Sequence, residues 1–369
     1  MIKRHVNLQA HNTLRLASTA SAYSKITSIE NLLTAITLSH AEQLPIVPLG
    51  EGSNVILQNT INAHILDIQL GGIKKINEDS SHVWVEVGAG ENWHQWVMHS
   101  ISEQWFGLEN LALIPGRVGA APIQNIGAYG CEVALFIESV NFINLEDNNT
   151  SKLSVSMLSG EQCQFSYRDS IFKQSLMAKT VITSVIFKLN KTFKPQLSYP
   201  ALQQRINRES LDTVDAKAVA RAVIAIRSEK LPDPKQLPNA GSFFKNVAIN
   251  QQQLNDFLRQ YPDAPHFEYQ YTDNQDGLIK TGYKIPAAWL IEKCGFKGQR
   301  TGNLGMHNQQ ALVLINYSES NQTDSLQSSA QASDVISFAE NIAKAVKARF
   351  GFTLHREPQT IPAENTRNK

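Results

Sequence analysis

Gly107-Leu-Glu-Asn-Leu-Ala-Leu-Ile-Pro-Gly-Arg-Val-Gly-Ala-Ala-Pro-Ile-Gln-Asn-Ile-Gly-Ala-Tyr-Gly130 is the stretch on which the fold turns. Its second half, Pro115 to Gly130, holds four glycines, five alanines or prolines and one pair of side-chain amides, Gln124 and Asn125. Conventional strand packing would place Val, Ile and Leu there. Residues this small let a backbone lie against something broad and flat. A cofactor ring with its pyrophosphate meets that description, and a buried glycine-rich crossing is the alternative.

Upstream, the strand-like run Ile46–Leu49 enters Pro48-Leu-Gly-Glu-Gly-Ser-Asn54. Gly50 and Gly52, on either side of Glu51, permit backbone shapes and close approaches that other residues do not. Ser53 and Asn54 add short polar side chains, and successive N–H groups in such a turn can wrap an anion. No Gly-Lys-Ser/Thr follows, and Val55 stands where a dinucleotide fingerprint has its third glycine, so neither a P-loop nor a Rossmann loop is complete. An ordinary strand-to-loop turn accounts for it equally well.

Downstream, Phe165-Ser-Tyr-Arg-Asp-Ser-Ile-Phe172 sets Arg168 among apolar residues. A part-buried guanidinium needs an anionic partner, either a ligand or the adjacent Asp169. Asn239-Ala-Gly-Ser-Phe-Phe-Lys-Asn246 sets Ser242 between a glycine and two phenylalanines, where its hydroxyl can be shielded and still face a cleft. This is not the elbow of a hydrolase nucleophile, and a buried turn serine is the plain reading. Arg227 and Lys230, at one helix end, can bind phosphate or simply be solvated. His307 is read as a satisfied structural histidine.

Lys and Arg number 34 against 33 Asp and Glu, a net charge of +1 that argues against a general nucleic-acid binder while leaving room for a local anion site. With 42% hydrophobic and 18% charged residues over 369 positions, the chain reads as an ordinary globular protein of about two or three domains. Cys131, Cys163 and Cys294 are isolated, which disfavours zinc and suits small buried apolar residues in a reducing compartment. Met1–Ile26 has no apolar h-region and no run of apolar residues is long enough to span a bilayer, so a cytoplasmic location is expected.

Strand-like runs at Ile46–Leu49, Ala63–Ile68, Val83–Val87, Val140–Ile143 and Thr180–Leu189 interleave with a helix opening near Glu91, which suggests an α+β or α/β layering. Asp215–Lys230 is a helix by the spacing of Val219, Val223 and Ile226, and Pro232 ends it. Leu231–Pro238, rich in proline, crosses in extended form to a last lobe. Pro286–Gly295 reads as an amphipathic helix and Leu312–Asn316 as a strand. A final helix is expected from Asp334 to Phe350, with Ser333 as N-cap and Gly351 at C′. Ser318–Gln331 reads as a polar loop, and the tail after Pro362 as disordered.

Taken in order from Thr13 to Glu357, these segments closely resemble the UDP-N-acetylenolpyruvoylglucosamine reductase family, flavoenzymes of bacterial cell-wall synthesis. The motifs are Leu-Gly-Glu-Gly-Ser-Asn54, Gly88-Ala-Gly-Glu-Asn-Trp-His94, the Gly107–Gly130 stretch, Tyr167–Lys173, Lys230–Lys235 and Asn239–Asn246. The resemblance implies an α+β fold: a two-subdomain FAD-binding unit of the vanillyl-alcohol-oxidase type and a C-terminal substrate-binding subdomain. The expected divisions are 1–70 and 71–230 for FAD, 231–350 for substrate, and 351–369 returning to the active site. Tyr199, in Leu197-Ser-Tyr-Pro200, resembles the mobile tyrosine of the long form of the family.

The implied reaction is NADPH-dependent reduction of UDP-N-acetylglucosamine enolpyruvate to UDP-N-acetylmuramate through FAD, by a monomer or weak oligomer without membrane or nucleic-acid partners and with no metal. The implied catalytic residues are Arg168 on the substrate carboxylate, Ser242 as proton donor and Glu357 as a second donor. The flavin is expected at Gly50, Glu51, Gly52, Ser53, Asn54, Ile114, Pro115, Gly116, Gly119, Ala120, Ile123, Gln124, Asn125, Gly127, Ala128 and Tyr129. The nucleotide sugar is expected at Tyr199, Arg227, Lys230, Asn246 and Gln310. The tail departs from the family: His355, Arg356, Pro358 and Gln359 replace its usual residues around Glu357, and Arg356 is the candidate to replace the arginine missing at Gln359. Val247 and the Gly302–His307 segment differ mildly. A flavin-dependent alcohol oxidase and a non-catalytic paralogue are the rival readings.

Overall fold

The strand Thr60–Ile68 is buried at seven of its nine residues, all save Thr60 and Asn62, as befits a parallel strand covered on both faces. It pairs in parallel with Thr19–Ile26 and with Ile46–Leu49, and Lys3–Asn7 adds an antiparallel edge. A second, antiparallel sheet runs in the order Val155–Ser159, Ile137–Asn144, Thr180–Asn190, His82–Gly88, Ile73–Glu78. Against it lies the helix Trp93–Ser102, whose Trp93 and Trp96 meet Phe187 at 6.1 and 5.4 Å between ring centroids. Helix Ala216–Lys230 contributes Val219, Val223 and Ile226 to the same core.

This computed structural model describes residues 2–146, 153–208, 214–272, 278–318 and 329–362. The chain divides into two compact units, the first made of Met1–Asn7, Thr19–Gly52 and Thr60–Glu229 and the second of Leu8–Ser18, Ser53–Asn59 and Lys230–Lys369. Leu8–Ser18 and Ser53–Asn59 thus belong to the second unit although they precede most of the first in the chain. Leu14, Leu16 and Ile56 are apolar side chains that bury in the second core, beside Phe243, Phe244 and Leu290. Most of the loop Ser318–Gln331 and the tail after Pro362 lie outside the described residues.

The second unit holds one sheet in the order Asn239–Ser242, Val313–Asn316, Leu304–Met306, Arg300–Thr301 and another in the order Val247–Ile249, Ile279–Ile285, Phe267–Thr272. Its helices are Gln251–Gln260, Ala287–Lys293 and Ala332–Phe350. The last begins two residues before its expected start, with Gln331 rather than Ser333 at the cap, because Asp334 Oδ2 accepts the Gln331 N–H at 2.9 Å. Gly351 closes it at φ +76°. Cys131 and Cys163 are buried and Cys294 half-buried, and burial pushes the first two thiols up to about 12.

Candidate active site

In the first unit, the small-residue loops are tied together by side chains. Glu51 Oε1 accepts from Asn92 Nδ2 at 2.8 Å and its Oε2 from the Gly116 N–H at 3.0 Å. Asn92 in turn caps the helix Trp93–Ser102 through Gln95 N–H. Arg117 Nη1 donates to Asp67 Oδ1 at 2.8 Å and to the Ile68 carbonyl. Some of the glycine density serves backbone packing rather than a ligand: a Cβ on Gly90 would lie 2.3 Å from the Gln69 backbone, and one on Gly119 2.6 Å from Ala89. Asn125, buried and at φ +46°, donates to Glu132 and the Ser166 carbonyl and accepts from Ala134 N–H. Its amide thus shapes the loop from within. Ile114, Ile123, Ala128 and Tyr129 pack on the core while remaining partly exposed, as does Gln124 in exposure, and Pro115 and Ala120 are exposed.

Arg168 occupies a tight turn in which Ser166 and Asp169 exchange backbone hydrogen bonds. It sits at φ +56°, a conformation uncommon for a side chain this bulky and a pointer to a positional demand. Its guanidinium donates to the Asn125 and Gly127 carbonyls, and a Cβ on Gly127 would come within 2.9 Å of Nη1. The Cys131 carbonyl oxygen, 2.8 Å from the same point, also leaves no room for a Cβ at Gly127. Asp169 is engaged elsewhere, accepting from Ser170 N–H and Gln174. Arg227, whose Nε donates to the Leu113 carbonyl, is drawn below its ordinary pKa by burial and by the nearby Arg168, against the opposing pull of Tyr129. Tyr129 and Tyr199 meet edge-on at 5.3 Å, and burial pushes the Tyr129 phenol up to about 12. Two guanidiniums and two phenols brought together in this way suit an anion. Lys230 is exposed at the end of its helix.

In the second unit, backbone pairing brings Ser242 and Glu357 together. Phe243 accepts from the Glu357 N–H at 2.9 Å, Lys245 N–H donates to the His355 carbonyl, and Phe244 bridges Arg356. Beyond Glu357, Gln359–Ile361 runs parallel to Val55–Leu57, and Asn54 Nδ2 donates to the Glu357 carbonyl at 3.4 Å. These contacts are largely main-chain, so the departures at His355, Arg356, Pro358 and Gln359 do not disturb the return of the segment. Gly241, at φ +67°, turns the chain before Ser242, and Asn239 fixes that turn through the Gly241 N–H and the Pro232 and Leu237 carbonyls. Asn246 Oδ1 accepts from Ala287 N–H, and Gln310 Oε1 from Leu312 N–H at 3.4 Å. His307 is half-buried, with a pKa lowered by burial, and its buried Nδ1 has no hydrogen-bond partner among the described residues, so it is not the satisfied histidine expected from the sequence.

Asp67, Asn92, Arg117 and Asn239 were not among the expected site residues. Asp67 had a signal: it is the one carboxylate in the apolar run Ile65–Ile68, and a buried carboxylate implies a partner.

Residues 20–153 match the family described as FAD binding domain, and residues 233–361 match UDP-N-acetylenolpyruvoylglucosamine reductase, C-terminal domain. The UDP-N-acetylenolpyruvoylglucosamine reductase of Pseudoalteromonas translucida is 41% identical over 355 residues, 96% of this chain and 95% of its own. That of Flavobacterium johnsoniae is 37% identical over 361 residues, 98% and 99% of the two chains. The chain belongs to the UDP-N-acetylenolpyruvoylglucosamine reductase family. The crystal structure of the reductase from Thermus caldophilus covers 98% of each chain at a TM-score of 0.61 and 21% identity, a likeness of fold. Among the described residues, no helix of this reductase-family chain is long and apolar enough to cross a membrane.

Proposed function

We propose that the chain reduces UDP-N-acetylglucosamine enolpyruvate to UDP-N-acetylmuramate in peptidoglycan precursor synthesis, with FAD and NADPH, and that Arg168, Ser242 and Glu357 carry the chemistry. The observation that supports the assignment of roles most directly is the main-chain pairing that sets Glu357 opposite Phe243, next to Ser242.

The loops of the first unit fit a flavin. Gly52 and Gly116 turn at φ +64° and +122°, and the partly exposed Ile114, Ile123, Ala128 and Tyr129 offer an apolar face of small relief. Held by these loops, FAD would supply the hydride-transfer chemistry that links NADPH to the methylene carbon of the enolpyruvyl group.

The protein's part is to make that carbon an acceptor. An alkene bearing a carboxylate builds negative charge at the carbon alpha to it as the hydride arrives. Arg168, preset by its turn, stabilises that charge through the carboxylate fork. Glu357, in its protonated form, would donate to the other carboxylate oxygen. Ser242 gives its hydroxyl proton to the alpha carbon, which completes the lactyl ether. Arg227 and Lys230 hold the phosphates, Tyr199 closes on the nucleotide sugar, and the amides of Asn246 and Gln310 donate to it.

Anaerobic stopped-flow spectroscopy tests this reading. NADPH is expected to bleach the flavin, and the enolpyruvyl sugar nucleotide to restore its colour. Bleaching without return of colour would leave a flavin reductase with another acceptor, and the roles given to Ser242 and Glu357 would fall.

A further inference from the structure

Asp67 stands directly opposite Leu49 in the parallel register, at the carboxyl end of the strand from which the Gly50–Asn54 turn departs. Its side chain is 5% exposed, and it accepts from Tyr23 Oη at 2.7 Å, Gln69 Nε2 at 2.6 Å and Arg117 at 2.8 Å. Arg117 follows Gly116 in the second glycine-rich loop, and its aliphatic stem passes 3.8–3.9 Å from where a Gly50 Cβ would stand. The two loops are therefore clasped from both sides. Glu51, from the first, holds the Gly116 amide of the second; Arg117, from the second, is anchored at the base of the first.

We propose that Arg117 is a positioning residue for the flavin: locked on Asp67 and the Ile68 carbonyl, it presets both loops in the shape that FAD binds. This rests on the FAD reading above. Without the clasp the loops must be ordered at the moment of binding, and that entropy is taken from the affinity. Neither Arg117 nor Asp67 is given a contact with the flavin or the substrate.

The test uses the full-length protein stripped of flavin, titrated with FAD by fluorescence quenching, with the melting temperature of the flavin-free form recorded beside it. Arg117→Ala is expected to weaken FAD binding about tenfold or more. Arg117→Lys, which keeps the charge but not the planar fork, should recover only part of that loss. Tyr23→Phe removes a donor on the far side of Asp67, so it should lower the melting temperature and leave FAD affinity within about twofold. If Arg117→Ala does not fold, Asp67→Asn, which preserves shape, carries the same expectation. A lowered melting temperature with unchanged FAD affinity in the Arg117 or Asp67 variant would make the pair merely structural and overturn the inference. A wild-type protein that binds no FAD would instead overturn the FAD reading itself.

Discussion

The two units hold their functional residues by opposite means. In the first, the glycine-rich loops are fixed by side chains: Glu51 on Gly116, Asn125 on Glu132 and Ala134, Arg117 on Asp67. The backbone and small residues there are the ones proposed to face the flavin. In the second, Ser242 and Glu357 are set mainly by main-chain pairing of their neighbours, with the Asn239 side chain holding the Gly241 turn, and their own side chains are the ones proposed to react. Substitution should thus damage the first region through its architecture and the second through its chemistry.

The largest expected effect is in the second region. Ser242→Ala should cut substrate turnover by about 10²–10⁴ while leaving reduction by NADPH and the melting temperature nearly unchanged, read by separating the two half-reactions in stopped flow. Undiminished turnover would remove Ser242 from the mechanism. Asn125→Ala is the counterpart in the first unit. It takes a buried amide from the part-buried Glu132 carboxylate and Ala134 N–H and should cost about 1–2 kcal/mol in chemical denaturation. A loss within about 0.5 kcal/mol would show that the loop does not depend on its side chains. Lys230→Ala belongs to neither pattern, since Lys230 is exposed; KM for the sugar nucleotide should rise about tenfold with kcat unchanged, the mark of uniform phosphate binding. Gly241→Ala probes the backbone that carries Ser242. At φ +67° with open space around the added methyl, it should cost about 1 kcal/mol in stability, measured by the denaturation midpoint.

What could be read from the sequence was what is local. Val219, Val223 and Ile226 disclosed a helix whose first turn is held by Asp215 Oδ1 on the Ala218 N–H at 2.6 Å. Gly351 disclosed a helix end because one residue type suits that backbone. Distant pairings left no such trace. Asp67 and Arg117 are 50 positions apart, and Asn54 and Glu357 are 303 apart. Nor could composition tell a glycine that a turn requires from one that its neighbours require: Gly116 turns within a loop, whereas Gly90 and Gly119 are small because Gln69 and Ala89 press on them. The serine motif was legible as chemistry only through family resemblance, since a hydroxyl between a glycine and two phenylalanines has no intrinsic acidity to announce it.

The parallel pairing of Val55–Leu57 with Gln359–Ile361 also bears on how the chain is made. During translation, the earlier strand leaves the ribosome long before its partner has been polymerised. An apolar edge must wait, unpartnered, while the long stretch between the two strands is made, a period in which it is open to chaperones and to mispairing. Nascent chains stalled before codon 359 should therefore present Val55–Leu57 as accessible, and synthesis of Gln359–Ile361 is what allows it to be hidden.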